Sequence, residues 1–320
     1  MNGPADAPAP APAGRWVGVL LLLGAAVLWS LAGVAVKATE ERVGALTFTA
    51  VRSLGAAVGM WPLLGLGAKL TGSAKPAGRV MGWVAGAYTV MVGAFILSMA
   101  LGTAAEGILL QYSAPAWAAL LAWGLLGRRV SPRQVAAIGI AAAGVLVLLA
   151  GADRSGGWAA PALGVLSGVG YAGVIVGLDA VDAEATARTG GPANVARVIL
   201  YNNAAAAATL LPLALLLEGP PDPALTPLIL LLGLVQMALP YVLFQLGLRR
   251  VGPVTAGLVT LVEPVLNPLW VFLGKGEVPP AAVYPGGALV LLAVAVTVTT
   301  PRRRKAGGGR EAAGRVTPEA

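Results

Sequence analysis

The chain has 320 residues, of which 57% are apolar and 11% charged, against roughly 25% charged in an ordinary soluble domain. A soluble fold of this length has nowhere to hide that much apolar surface. The net charge of +8 is scattered over short segments rather than gathered on a folded face, which argues against nucleic acid as a partner. Cysteine and histidine are both absent, so disulfides, thiolate chemistry and the commonest proton shuttle and metal ligand are excluded, and no metal or other cofactor is expected.

Met1–Gly14 is rich in Ala and Pro, carries Asp6 as its only charge and lacks the basic start of a signal peptide, so it reads as a disordered leader. Ten apolar segments follow: Trp16–Val36, Leu46–Leu66, Val80–Ala104, Gly107–Leu126, Val135–Gly151, Trp158–Leu178, Val198–Leu217, Leu225–Leu246, Val251–Leu273 and Ala281–Thr300. A helix needs about 20 mainly apolar residues to cross roughly 30 Å of hydrocarbon, and these segments qualify, the fifth at the short end. Only helices and closed barrels satisfy their backbone in lipid. The runs are continuous rather than alternating, so the expected fold is an all-α membrane protein with ten transmembrane helices. Asp179–Arg197, the longest connector, reads as a surface loop through its acids, glycines and Pro192.

Charge placement orients the chain. With the amino terminus inside, the cytoplasmic segments hold Arg15, then Lys69, Lys75 and Arg79, then Arg128, Arg129 and Arg133. Arg188, Arg197, Arg249 and Arg250 follow on the same side, as does the whole basic tail from Arg302. The outer segments hold only Lys37, Arg42, Arg154 and Lys275. That asymmetry places both termini in the cytoplasm, with Arg302–Lys305 against the anionic inner leaflet.

The two halves repeat. Ala105–Pro115 aligns without gaps with Val254–Pro264, and the same register carries Gly127-Arg128 onto Gly276-Glu277. Pro62 aligns with Pro212, which sets Arg52 opposite Asn202. The expected domains are a leader at 1–14, a first five-helix repeat at 15–152, a second at 153–300 and a cytoplasmic tail at 301–320. Five spans is an odd number, so the second repeat enters the bilayer from the opposite face and the repeats are inverted. Secondary transporters use that architecture, with the substrate near the midplane between the halves.

The stretch Gly247-Leu248-Arg249-Arg250-Val251-Gly252-Pro253, continued by Leu261-Val262-Glu263-Pro264-Val265 and closed by Gly276-Glu277, resembles the drug/metabolite transporter superfamily. The closer likeness is to the bacterial EamA-type ten-helix transporters, with Leu28-Trp29-Ser30, Arg52 and Pro115 matching in the first half, and it covers roughly residues 16–300. The resemblance implies a multi-pass protein of the bacterial inner (plasma) membrane that exports amino acids, other small metabolites or toxic compounds, often in exchange for protons. Two departures stand out: Arg128 lies where the second half has Glu277, and Ala114 where it has Glu263. Tyr201-Asn202-Asn203 is similar to the nucleotide-sugar branch of the superfamily.

Glu263 is the most informative residue. A charge in the middle of a span costs at least ~2.5 kcal/mol, so this carboxyl faces the bundle interior or water, or holds a proton. Thr260, Glu263, Asn267 and Trp270 recur at helical spacing on one face, and Pro264 and Pro268 free carbonyls beside them. Either this face handles substrate and protons, or Glu263 ties down a neighbouring helix. Arg52 is the natural counter-charge, and it holds a substrate carboxylate, pairs with Glu263 or snorkels. Asn202, Asn203, Gln111, Tyr112, Trp29, Tyr241 and Gln245 complete the candidate site. Tyr88, Phe95 and Met99 form a stripe that reads as packing, and Glu106 as a favourable charge at a helix start. Gly55/Gly59, Gly82/Gly86, Gly164/Gly168 and Gly173/Gly177 read as close helix packing or the face of a homodimer.

No zinc ligand set, phosphate-cradling loop or nucleophile–base pair is present, so an enzyme is not expected. The expected function is secondary active transport of a small molecule by alternating access, coupled to protons. The rival readings are an uncoupled facilitator or channel and, more remotely, a lipid-modifying intramembrane protein.

Overall fold

The computed structural model describes residues 12–70, 72–76, 78–127, 130–151 and 157–299. The expected leader up to Ala11, the basic tail and the Arg128–Arg129 pair lie outside them. Among the described residues the regular structure is helical, apart from one bridge pairing Ala74 with Ala193. The first half contains α1 (Pro12–Ser30), α2 (Ala32–Thr39), α3 (Ala45–Met60), α4 (Leu64–Leu70), α5 (Gly78–Leu101), α6 (Ala104–Gln111), α7 (Ala114–Leu126) and α8 (Pro132–Gly151). The second contains α9 (Ala159–Thr189), α10 (Val195–Leu217), α11 (Thr226–Gly233), α12 (Leu239–Thr260), α13 (Glu263–Lys275) and α14 (Val283–Thr299). Among the described residues, six helical stretches are long and apolar enough to cross a membrane, namely Arg15–Thr39, Gly78–Leu101, Pro132–Gly151, Ala159–Thr189, Val195–Leu217 and Thr226–Leu248.

Local chemistry explains the boundaries. Thr103 caps α6 by accepting from the Glu106 amide and donating its hydroxyl to the Glu106 carboxylate, so Glu106 is the helix-start charge its position suggests. Pro115 and Pro264 stand at the second position of α7 and α13, where a missing N–H leaves no intrahelical bond unmade. Both of those helices have 13 residues, and both end on a left-handed glycine, Gly127 at φ 59° and Gly276 at φ 70°. Pro240 has no N–H to give the carbonyl four residues back, and the chain takes a π-helical turn at Leu234–Ala238 between α11 and α12.

Three boundaries differ from the sequence expectation. The connector at Asp179–Arg197 is mostly helix: α9 runs on to Thr189, where Gly190 at φ 76° ends it. The fourth and ninth spans are each broken in two, at Tyr112-Ser113 and at Leu261-Val262. The loop expected around Gly247–Arg250 is instead the interior of α12. Its paired arginines imitate a loop, but the Arg250 Nη1 bonds the Leu246 carbonyl of its own helix at 2.7 Å. Gly247 is needed there because a Cβ would meet Leu22 and the Gly18 carbonyl of α1.

The helices pack in pairs that exchange when the halves are exchanged. α1 lies against α12 and α9 against α5, while α3 pairs with α10 and α8 with α14. Three of the four glycine pairs sit at close helix contacts: Gly173 and Gly177 face Ala87, Val84 and Trp83 in the α9–α5 pair, Gly55 and Gly59 of α3 face Leu230 and Leu234 of α11 and the turn after it, and Gly164 and Gly168 of α9 face Leu110 and Ser113 at the end of α6. Gly82 and Gly86 meet no atom within 4 Å. The tightest crossing is α3 on α11, where a Cβ on Gly233 would strike the Arg52 carbonyl and one on Gly55 the Leu230 carbonyl. Gly233→Ala is therefore expected to lower the thermal unfolding midpoint of the detergent-solubilised protein, at a cost of about 1–3 kcal/mol. Gly65→Ala, with nothing within 4 Å of its added carbon, leaves the midpoint unchanged.

Candidate functional site

Between the halves lies a cavity of about 410 Å³, lined by residues of α1, α3, α5, α9, α10 and α12 and by the two helix breaks. That volume suits a small organic molecule, for which sites of roughly 300–1,000 Å³ are usual. A helix break exposes carbonyls that lipid cannot satisfy, so such a break is tolerated only against protein or a polar cavity. Here the two breaks face each other. Tyr112, which ends α6, donates its hydroxyl to Glu263 Oε2 at 2.8 Å, and Glu263 opens α13. The same hydroxyl lies 3.5 Å from the Thr260 carbonyl at the end of α12.

Arg52 sits in the interior of α3 with 3% of its surface exposed, and its guanidinium lies 5.6 Å from the Phe48 ring centroid. That burial excludes snorkelling. Arg52 and Glu263 both line the cavity and form no ion pair with each other. Asn202, the repeat counterpart of Arg52, reaches the cavity from α10. Arg52 Nε, Asn202 Oδ1 and both amide atoms of Gln236 are buried without a hydrogen-bond partner among the described residues. Such groups are costly in a sealed core and useful on a ligand-binding wall.

Gln111 lines the cavity and donates to the Ser167 hydroxyl at 2.8 Å, which passes the bond to the Met91 carbonyl at 3.0 Å. Trp29 stands edge-on to Tyr241 at 5.2 Å between ring centroids and 5.7 Å from Phe244, forming an aromatic wall. Gln245 and Thr260 also face the cavity. Two candidates do not. Asn203 is taken up by the Tyr88 hydroxyl, which donates to its Oδ1 at 2.9 Å, and by the Ile199 carbonyl at 2.9 Å. Asn267 is fully buried where α13 meets Gly33 of α2. It still follows Glu263 by one turn on α13, but at that level the helix face is packed against α2 and lies beyond the cavity. Trp270, on the same helix, bonds the Ser30 hydroxyl at 2.8 Å.

Tyr88 and Phe95, which read as packing, line the cavity, whereas Met99 is core. Tyr171 and Asp182 of α9 line it too and were missed. A signal existed: of the 6 tyrosines, Tyr88, Tyr112, Tyr171 and Tyr241 all face the cavity, while Tyr201 and Tyr284 are exposed on the outside. A tyrosine inside a span needs a partner or water for its hydroxyl, and a shared cavity supplies both. Among the described residues no group of acidic side chains could hold a metal ion.

A helical bundle with long apolar helices, and a chamber holding a few polar groups where broken helices meet, is the architecture of a membrane protein with an internal small-molecule site. The model of the EamA-like transporter family matches residues 16–150 and 185–299, and the chain belongs to that family. A solved crystal structure of a protein superposes with a TM-score of 0.54 at 24% identity, covering 91% of this chain and 99% of its own, a likeness of fold alone. Among curated proteins none matches at a comparable level.

The Tyr112–Glu263 bond gives a direct test of the geometry. Tyr112→Phe leaves the half-buried Glu263 carboxyl without its donor and is expected to destabilise the solubilised protein by about 1 kcal/mol in a thermal unfolding series. Tyr284→Phe, at an exposed position, is expected to leave the midpoint in place.

Proposed function

We propose that this chain is a secondary active transporter that exports small organic metabolites, such as amino acids or toxic compounds, by alternating access coupled to protons. The observation that carries the proposal is that the Tyr112–Glu263 pair, Arg52 and Asn202 line one chamber, in which Arg52 and Glu263 do not pair with each other. A cation and an acid in one chamber suit a substrate bearing both charges, while Trp29, Tyr241 and Phe244 suit its apolar part. Glu263 is the group we assign to proton exchange, and Arg52 to an anionic group of the substrate.

The reading includes ten spans arranged as two inverted five-helix repeats, at 15–152 and 153–300. Three facts support it: α1–α12 and α9–α5 exchange under the repeat, α3–α10 and α8–α14 are their own counterparts, and α7 and α13 share length and cap. The distribution of Lys and Arg supports a bacterial inner membrane orientation with both termini in the cytoplasm. In that orientation the cavity extends towards the cytoplasm, past exposed Asp182 and the Ala193–Val195 turn. Gly82 and Gly86, on an open face of α5, are the pair left for a homodimer contact.

Proteoliposome flux tests this. A labelled panel of amino acids and metabolites is expected to include a compound that accumulates only under an imposed pH gradient, and accumulation should vanish when the gradient is collapsed. Equilibration that ignores the gradient would instead establish a facilitator, and absence of flux throughout would reject transport of this substrate class.

With a transported compound in hand, Glu263→Gln, which retains an acceptor for Tyr112, is expected to abolish gradient-driven accumulation while leaving exchange of labelled for unlabelled substrate. Arg52→Gln is expected to weaken apparent affinity for anionic substrates by tenfold or more, the worth of about 1.4 kcal/mol. Unchanged gradient dependence in Glu263→Gln would remove that residue from coupling.

A further inference from the structure

At the end of the bundle opposite Asp182, the two halves are tied by several contacts in which a first-half group donates to a carboxylate of the second half. Glu218, the residue after α10, places Oε1 3.0 Å from the Leu46 amide and Oε2 2.8 Å from the Thr47 amide. Those amides belong to the first turn of α3, whose N-cap, Gly44, offers no side chain. Glu277, just beyond α13, does the same for α6, with Oε1 2.9 Å from the Ala104 amide. Its Oε2 stands 3.5 Å from Lys37 Nζ, and that lysine also donates to the Gly102 carbonyl at 3.0 Å and pairs with Glu40 at 3.2 Å. Arg42 meets Asp222 at 2.6 Å. The Ala224 amide, and after it Arg42, hold the Asp222 carboxyl below its usual range, so it is charged when it meets the arginine.

As surface salt bridges these would matter little, and Arg42 is 59% exposed. Their placement changes that. Glu218 and Glu277 each sit at a helix amino terminus, where oriented N–H groups and the helix dipole favour an anion. The helices joined are also those whose middles line the chamber. α3 carries Arg52, α10 carries Asn202, α6 carries Gln111 and α13 opens with Glu263. Spreading the chamber at this end therefore means parting α3 from α10 and α6 from α13, which breaks these contacts together. The lining of the chamber agrees: it includes Val181, Asp182, Ala193 and Val195 at the far end and none of Lys37, Arg42, Glu218, Asp222 or Glu277.

We infer that Glu218 and Glu277, with the Arg42–Asp222 pair, form an electrostatic latch that seals the chamber on the outer side and must release for it to open there. The inference rests on the alternating-access reading proposed above. Charged groups suit a reversible latch, because water takes over the same hydrogen bonds once the helix ends separate.

The chain has no cysteine of its own, so a single reporter can be added without removing any other. Ala32→Cys puts a thiol on the chamber wall. Its labelling by a membrane-impermeant maleimide is followed in oriented vesicles, from each face, with and without a transported substrate. With the latch intact, outer-face labelling is expected to be slow. Glu218→Gln combined with Glu277→Gln is expected to raise the outer-face rate at least tenfold. Arg42→Asp alone should raise it, and Arg42→Asp with Asp222→Arg should bring it back, which separates a released latch from a damaged fold. Outer labelling that ignores every latch variant, while substrate still shifts labelling between faces, overturns the latch and leaves alternating access standing. Labelling that responds to neither variants nor substrate overturns both.

Discussion

The hydrogen bond from Tyr112 to Glu263 joins two places where the helical backbone is interrupted between membrane-depth segments. In lipid an interrupted helix leaves amides and carbonyls with no solvent, so the interruptions have to be brought together and given a polar environment of their own. The rest of the interior follows from that need. Two broken helices from opposite halves meet, a space opens around them, and the polar side chains of neighbouring helices turn towards it. Glu263, costly at that depth, is then accommodated by a donor at hydrogen-bond distance and a chamber beside it. A carboxyl so held can keep or release a proton without rearranging the backbone that carries it.

Packing around the chamber relies on the absence of side chains more than on their fit. Where α3 crosses α11 and where α1 crosses α12, glycines bring backbone against backbone, and any added carbon would collide. Without a hydrophobic drive between helices in lipid, such close approach is the main source of association. It also leaves few interlocking side chains at the crossings, so helices can tilt over one another at modest cost. The ends of the bundle are built differently, with carboxylates seated on helix amino termini. Smooth crossings in the middle and directional bonds at one end suit the rocking proposed above, in which the bonds would decide which end is open.

Much of this was legible in the sequence because the bilayer restricts the choices. Apolar runs of span length could only be helices, and the match of Ala105–Pro115 to Val254–Pro264 is realised as a matched break and a matched pair of 13-residue helices. What sequence could not show was direction within a helix. Asn203 and Asn202 are neighbours, yet only Asn202 faces the chamber, because the Tyr88 hydroxyl claims the other. Asn267 does share a continuous face of α13 with Glu263, but one turn further along that face meets Gly33 of α2 and the chamber has ended. The loop expected at Gly247–Arg250 failed for a related reason. Two adjacent arginines signal water, but a long side chain reaches water from a helix as well as from a loop.

Arg52 and Asn202 show how a repeat can hold the same place with different chemistry. They are counterparts in the two halves and stand on the paired helices α3 and α10, so near-symmetry brings both to one chamber. An arginine at both places would set two buried cations close together, and an asparagine at both would leave no charge to meet an anionic ligand. The inherited symmetry supplies the chamber and the exchangeable packing. The departures from it, Arg52 against Asn202 and Glu263 against Ala114, place one basic and one acidic side chain in the chamber, the asymmetry on which the proposed substrate binding rests.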